Sequence, residues 1–165
     1  MTLREIQEPI KVRYREEPDA ARITLRASGA MAGDAMSCSV DLGRAIYAAG
    51  AHQGVGGSGG AACSGDLLLA ALAACAQLTC QMVAANMGLD GVGVTVEVEG
   101  DLDLRGTLGT DDVPVGFEAI RIRFGLTGSV PPERLAKLQE RTERYCVVLQ
   151  TLLQPPRIET GWSVS

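Results

Sequence analysis

DLLLAALAACAQLTCQMVAANM, residues 66–87, is the stretch on which the fold of this chain turns. Residues 67–89 contain no charged side chain. At 1.5 Å per residue the stretch makes a helix of about 30 Å. Ser64 or Asp66 serves its N-terminus, and Gly88 stops it. A run this apolar approaches a transmembrane signal. Gln77, Thr79, Gln81 and Asn86 interrupt it, however, and it has no cationic flank or aromatic belt. We therefore read it as a core helix, with no membrane partner. A helix apolar on all sides is buried on all sides. One small sheet cannot wrap it, so a second copy of the same helix is the simplest cover, and a homodimer is expected.

Working outward, the preceding loop AHQGVGGSGGAACS, residues 51–64, is rich in glycine, which permits tight turns and close approach. It lacks the Lys-Ser/Thr ending and the buried strand of a phosphate-binding loop, and reads better as a glycine-rich active-site loop. Upstream, Ile10, Val12 and Tyr14 alternate with Lys11, Arg13 and Arg15, the pattern of a half-buried strand. Pro18-Asp19 marks a turn, and a second strand over Arg22–Ala27 would complete a hairpin. Ser37–Leu42 is a weaker third strand. Downstream, Val92, Val94, Val96 and Val98 share one face of a strand that runs to Leu104. Phe117, Ile120, Ile122 and Phe124 do the same, with one irregularity, in a strand over Phe117–Leu126. Pro131-Pro132 open a second helix running to about Tyr145, with Leu135, Leu138, Thr142, Tyr145, Cys146 and Leu149 on its inner face. Arg157–Val164 reads as a short final strand. Strands, helix, strands, helix, strand is an α+β order without βαβ alternation. With no repeat and no flexible linker, residues 1–165 form a single expected domain.

Bulk composition narrows the function classes. Hydrophobic residues make up 46% but aromatics only 4%, so the core is built from Ala, Val, Leu and Ile. The net charge of −5 argues against a nucleic-acid partner, which needs concentrated Lys and Arg. The charged opening MTLREIQEPIKVRYREE has no apolar signal core, so a cytoplasmic protein with reduced thiols is expected. Five cysteines, Cys38, Cys63, Cys75, Cys80 and Cys146, fit a disulfide scaffold poorly. Their spacing matches neither a CxxC redox motif nor a zinc ribbon, and no ligand set for a metal or cofactor is visible.

GGSGGAACSGDLLLAALAAC followed by ERYCVVLQTL resembles the OsmC/Ohr family of thiol peroxidases. The shared pattern is a glycine-rich loop, a short polar turn with an acidic residue, and a Leu/Ala-rich helix bearing Cys. A second Cys follows about seventy residues later, between a charged helix and an apolar turn. The strand order matches too, so the resemblance covers nearly the whole chain. It implies antiparallel sheets around a long buried central helix, in an interlocked homodimer with active sites at the subunit interface. It implies that Cys75 attacks a peroxide as thiolate and becomes a sulfenic acid, and that Cys146 resolves this as a disulfide. Organic hydroperoxides are the expected substrates, hydrogen peroxide a lesser one. A lipoylated protein or a small dithiol is the expected reductant.

Thiolate attack needs a lowered pKa, because a free thiol near 8.5 is mostly protonated at neutral pH. Cys75 lies nine residues beyond Asp66, and the helix dipole fades within the first turn, so a cationic neighbour is expected. In the family this is an Arg held by an acidic residue, a position Asp66 occupies here. The family more often has Glu there, two residues after a Pro that is Ser64 in this chain. Arg15, Arg22 and Arg44 are the candidates for the cation.

Each site residue also has a plain structural reading. Cys75 and Cys146 suit tight core packing, and Asp66 in a first helical turn favours the helix. Cys80 reads as core, and Cys38 as structural. Cys63, beside Asp66, is structural or a third redox thiol. His52 either lines the pocket or is a solvated loop residue, and Met82 and Met87 are candidate pocket residues. Two further functions fit the same residues: a binding protein for a small apolar ligand, and a thiol redox sensor.

Overall fold

The first expected strand is a helix. Residues 10–15 lie within α1 (Leu3–Glu16) in the computed structural model, which describes residues 3–24, 27–31, 37–41, 45–89, 91–110 and 112–164. The apolar residues fit both periods: Ile10, Val12 and Tyr14 alternate, while Ile6, Ile10 and Tyr14 recur every fourth position. A strand needs a neighbour to satisfy its backbone, whereas a helix satisfies its own. Glu, Gln, Lys and Arg throughout the segment favour the helix. The expected partner strand over Arg22–Ala27 is also lacking, since residues 22–24 and 27 are irregular and 25–26 lie outside the described residues. A 3-10 turn, Pro18–Ala21, stands in place of the hairpin turn.

A three-stranded antiparallel sheet follows: β1 (Ser28–Met31), β2 (Ser37–Asp41) and β3 (Ile46–Gly50), in sequential order. Gly29 pairs with Val40, and Val40 with Tyr47. The expected third strand over Ser37–Leu42 corresponds to β2. Its two neighbours, SGAM and IYAAG, are short and carry no clear period-2 signal in the sequence. The glycine-rich loop then doubles back as a 3-10 turn, Gln53–Val55. Gly57 permits this packing, since a Cβ there would stand 1.7 Å from the Ala51 carbonyl oxygen.

The predicted central helix is α2 (Ser64–Asn86). It ends at Gly88, whose φ of +65° lies in the left-handed region. Leu89 N–H donates to the Ala84 carbonyl and Gly88 N–H to that of Ala85, which satisfies carbonyls the helix leaves free. β4 (Gly93–Leu102) and β5 (Phe117–Thr127) form a second, two-stranded sheet, with the short helix α3 (Leu104–Leu108) between them in sequence. Gly93 lies against Thr127 and Gly125 against Thr95, so the two strands run antiparallel. Val92, Val94, Val96 and Val98 are half-buried and alternate with exposed residues to Glu97, as the pattern predicts.

Pro131 and Pro132 open α4 (Pro132–Tyr145). Cys146 breaks the helix with ψ of 102°, and α5 (Val147–Leu153) starts anew. The break carries Tyr145 outward, correcting its expected place on the inner face, while Leu138, Thr142 and Cys146 are buried. No final strand forms over Arg157–Val164. That segment is irregular, with Trp162 97% exposed, because no strand pairs with it among the described residues.

The chain divides into two compact units, Met1–Ala70 with Glu97–Arg123, and Ala71–Val96 with Phe124–Ser165. In the second, Cys80, Val83, Ala84 and Leu89 pack on Leu138, flanked by Val92, Val94 and Leu126. Full burial of a side chain such as Leu138 contributes roughly 1.5–3 kcal/mol. Gln77 Nε2 donates to the Val94 carbonyl at 2.7 Å, and the Arg134 guanidinium donates to the Met87 carbonyl, so β4 and α4 both clamp the helix. α2 is long and apolar enough to cross a membrane, yet in this chain only one of its faces is covered. Leu72, Ala76, Thr79, Cys80, Val83 and Ala84 are buried, while Leu68, Leu78 and Met82 are exposed.

Candidate active site

The second unit brings Cys75 and Cys146 together. α2 presents Cys75 half-buried, and the break after α4 tucks Cys146 under it, 1% exposed. The two side chains lie near enough for each to shift the ionisation of the other. Burial alone disfavours a thiolate at Cys75, but donors around the sulfur outweigh it. The Val148 N–H, the Cys146 thiol, the Thr79 hydroxyl and the Val147 N–H hold the Cys75 thiol below its ordinary value. Cys146 moves the other way. Burial pushes its thiol up, the Leu149 N–H opposes this, and the Cys75 sulfur adds to the rise against a still smaller contribution from the Val148 N–H. Of the two thiols, Cys75 is therefore the more readily ionised and Cys146 the less. That is the arrangement a two-thiol reaction needs, with a nucleophile and a second thiol beside it.

The cation expected beside Cys75 is not among these partners in the described residues. Backbone N–H groups at the start of α5 are among them. No sequence signal marks this restart, since ERYCVVLQ holds neither glycine nor proline. Thr79 was also missed, although its spacing of four from Cys75 places it one turn on, over the same helix face. Cys80 is buried, and burial pushes its thiol up, against a weaker contribution from the Thr142 hydroxyl. That hydroxyl is itself buried and makes no full hydrogen bond among the described residues. Cys80 is core, as expected.

In the first unit Asp66 does something specific. Its Oδ2 accepts from the Cys63 N–H at 2.9 Å, three residues back, which closes the start of α2 as a capping box does. This backbone bond, then the Cys63 thiol, holds the Asp66 carboxyl below its usual value against opposition from burial, with a still smaller contribution from His52. No arginine is among its partners in the described residues. Arg15 pairs with Glu8 at 3.1 Å and Arg22 with Asp19 at 3.4 Å, both on the surface. Arg44 and the side chain of Cys38 lie outside the description.

His52 Nδ1 accepts from the Gly54 N–H at 3.0 Å, which leaves the neutral ring's proton on Nε2. His52, Cys63 and Asp66 line a cavity of about 540 Å³ within this unit, walled by Leu69, Leu102 and Phe117. His52 lines this cavity, whereas Met82 and Met87 do not. The described residues contain no cluster able to hold a metal ion.

Comparisons with known proteins bear on the whole arrangement. The family model described as OsmC-like protein matches residues 57–161, more than half of the chain. The fold matches the crystal structure of an OsmC-like protein from Mycoplasma pneumoniae with a TM-score of 0.67 at 15% identity, covering 81% of this chain and 89% of that one. An organic hydroperoxide resistance protein OsmC from Legionella pneumophila gives 0.58 at 20%, covering 81% and 92%. An organic hydroperoxide resistance protein from Elizabethkingia anophelis gives 0.59 at 19%, covering 82% and 91%. No curated protein matches the chain. The α+β fold around α2 is that of these structures, and the matched segment holds both Cys75 and Cys146. By its sequence and by its fold, the chain belongs to the OsmC-like protein family.

Proposed function

We propose that the protein is a thiol-dependent peroxide reductase that acts on organic hydroperoxides in oxidative-stress defence. The observation that carries the reading is the neighbouring pair of thiols in which Cys75 ionises the more readily and Cys146 the less. Cys75 attacks the peroxide and becomes a sulfenic acid, and Cys146 displaces its hydroxyl to close a disulfide. A lipoylated protein or small dithiol restores both thiols. Asp66 serves as a positioning residue through the start of α2. The family's relatives named for organic hydroperoxide resistance support the substrate class. The active form is a cytoplasmic homodimer in which a second copy, rather than lipid, covers the exposed Leu78 and Met82 of α2.

The test is consumption of cumene hydroperoxide with dithiothreitol by wild type, Cys75→Ser and Cys146→Ser, on protein whose mass is measured by sedimentation. Turnover by a particle of twice the chain mass, lost in Cys75→Ser, is expected. No turnover by wild type would sink the activity, turnover that survives Cys75→Ser would sink the roles, and a monomer would sink the dimer. The cavity of about 540 Å³ in the first unit favours one second reading, a binding protein for a small ligand with an apolar body. An inert wild type that still binds such ligands would establish it.

A further inference from the structure

α4 and α5 meet at a joint that no glycine or proline imposes, and the joint is Cys146 itself. Its φ of −72° is helical, whereas its ψ of 102° is not. The Cys146 N–H donates to the Thr142 carbonyl at 3.0 Å and closes α4. The Cys146 carbonyl accepts from the Gln150 N–H at 2.9 Å and opens α5. In an unbroken helix the Glu143 carbonyl would accept from the Val147 N–H, four residues on. Among the described residues that bond is not made. The side chain of Gln150 takes the carbonyl instead, its Nε2 donating across the joint at 2.9 Å. Gln150 thus ties α5 back to the joint with its N–H, and to the end of α4 with its amide.

Resting on the peroxide reading, we infer that Gln150 is a positioning residue for the second step of the reaction. By holding the Glu143 carbonyl it keeps the joint bent, and so keeps Cys146 where it can close on the oxidised Cys75. In that step the Cys146 sulfur gives an electron pair to the sulfenic sulfur of Cys75. An S–S bond forms and the S–O bond breaks. The Cys75 sulfur is reduced, the Cys146 sulfur is oxidised, and the Cys146 proton leaves with the hydroxyl as water.

A disulfide closes only over a narrow range of backbone separation, with Cα atoms roughly 4.4–6.8 Å apart. Because Cys146 is the joint, any swing of α5 against α4 passes through its own backbone. Glu143, Arg144, Leu149 and Gln150 are good helix formers with no breaker among them, so a straight helix competes with the bent one. The straight form returns the Glu143 carbonyl to the Val147 N–H and leaves the Gln150 amide without it. The amide therefore shifts the balance toward the bent form. Its bond joins an amide to a backbone carbonyl and involves neither sulfur, so it acts on the chemistry by placing Cys146.

Single-turnover measurements with cumene hydroperoxide on reduced protein test this by reading two rates. One is loss of the Cys75 thiol, and the other is closure of the Cys75–Cys146 disulfide, with sulfenic acid captured by dimedone and all species read by peptide mass. Gln150→Met keeps the reach of the side chain and removes the donor, and Gln150→Lys keeps the reach and supplies another donor. In Gln150→Met closure is expected to slow about fivefold, the worth of one net hydrogen bond, while sulfenic acid accumulates. Attack, compared on the pH plateau where Cys75 is fully ionised, is expected to stay within about twofold of wild type, which also shows that the variant is folded. Gln150→Lys is expected to close as wild type does. Unchanged closure in Gln150→Met would overturn the role, and so would equal slowing of attack and closure. A Gln150→Lys as slow as Gln150→Met would overturn it too, because the loss would then lie in packing and not in the donor. The same variants are oxidised with diamide, which captures the first thiol and is displaced by the second without any peroxide. A wild type inert to peroxide that closes its disulfide with diamide removes the peroxide reading alone, and the diamide closure rates then judge Gln150 by the same outcomes. A wild type that closes no disulfide with either reagent would overturn the proposal.

Discussion

Cys63 and Cys75 are both half-buried thiols, one at the start of α2 and the other in its middle. Their surroundings are opposite. Cys63 gives its hydrogen bonds, backbone and side chain alike, to the Asp66 carboxylate. Cys75 is surrounded by donors, so a charged sulfur is stabilised even though burial opposes it. Thiol chemistry is thus decided by whether the neighbours accept or donate, and exposure alone separates the two sites poorly.

The largest effect should come from reading the two thiols directly. Iodoacetamide labelling at pH 7, mapped by peptide mass, is expected to modify Cys75 at least about tenfold faster than Cys63. The Cys75 rate should level off below the pH of an ordinary thiol. Equal rates would break the contrast. A middle-sized effect is expected from Thr79, which removes one donor without touching either cysteine. Thr79→Val should move the midpoint of the Cys75 labelling profile upward by about one pH unit, the size of a hydrogen bond to a charged group, while Thr79→Ser should keep the profile. A profile unmoved by Thr79→Val would remove the hydroxyl from the account.

Asp66→Ala should show the smallest effect. Loss of the cap is expected to cost about 1 kcal/mol of stability at neutral pH, read as a shift in the urea midpoint. Because the carboxyl is held below its usual value, its contribution is in full above about pH 4 and fades as pH falls through the lower folded value. The variant and wild type should therefore converge in acid. Peroxide turnover well below what this stability loss explains would show that Asp66 also positions an activating group, such as Arg44.

Much of the scaffold was legible because its signals are local. The uncharged run from Leu67 needs a core, Gly88 ends it, and Val92 to Val98 alternate as a half-covered strand does. The ends were not legible. Residues 10–15 satisfy two periods at once, and SGAM satisfies none. Isolated alternation over Arg157–Val164 says nothing about whether a neighbour is present. At the site, the cysteines and Asp66 stood out by type and spacing. Their partners did not, because a backbone N–H looks the same at every residue.

By itself the sequence determined the family, the central helix and the two cysteines worth watching, since residue type and periodicity are carried along the chain. Tertiary structure alone decided that α5 restarts at Cys146 and turns its N–H groups to Cys75, and that Asp66 turns back on Cys63. A sulfur's charge depends on the dipoles within a few ångströms of it, and residues 71 positions apart become such neighbours only once the chain is folded.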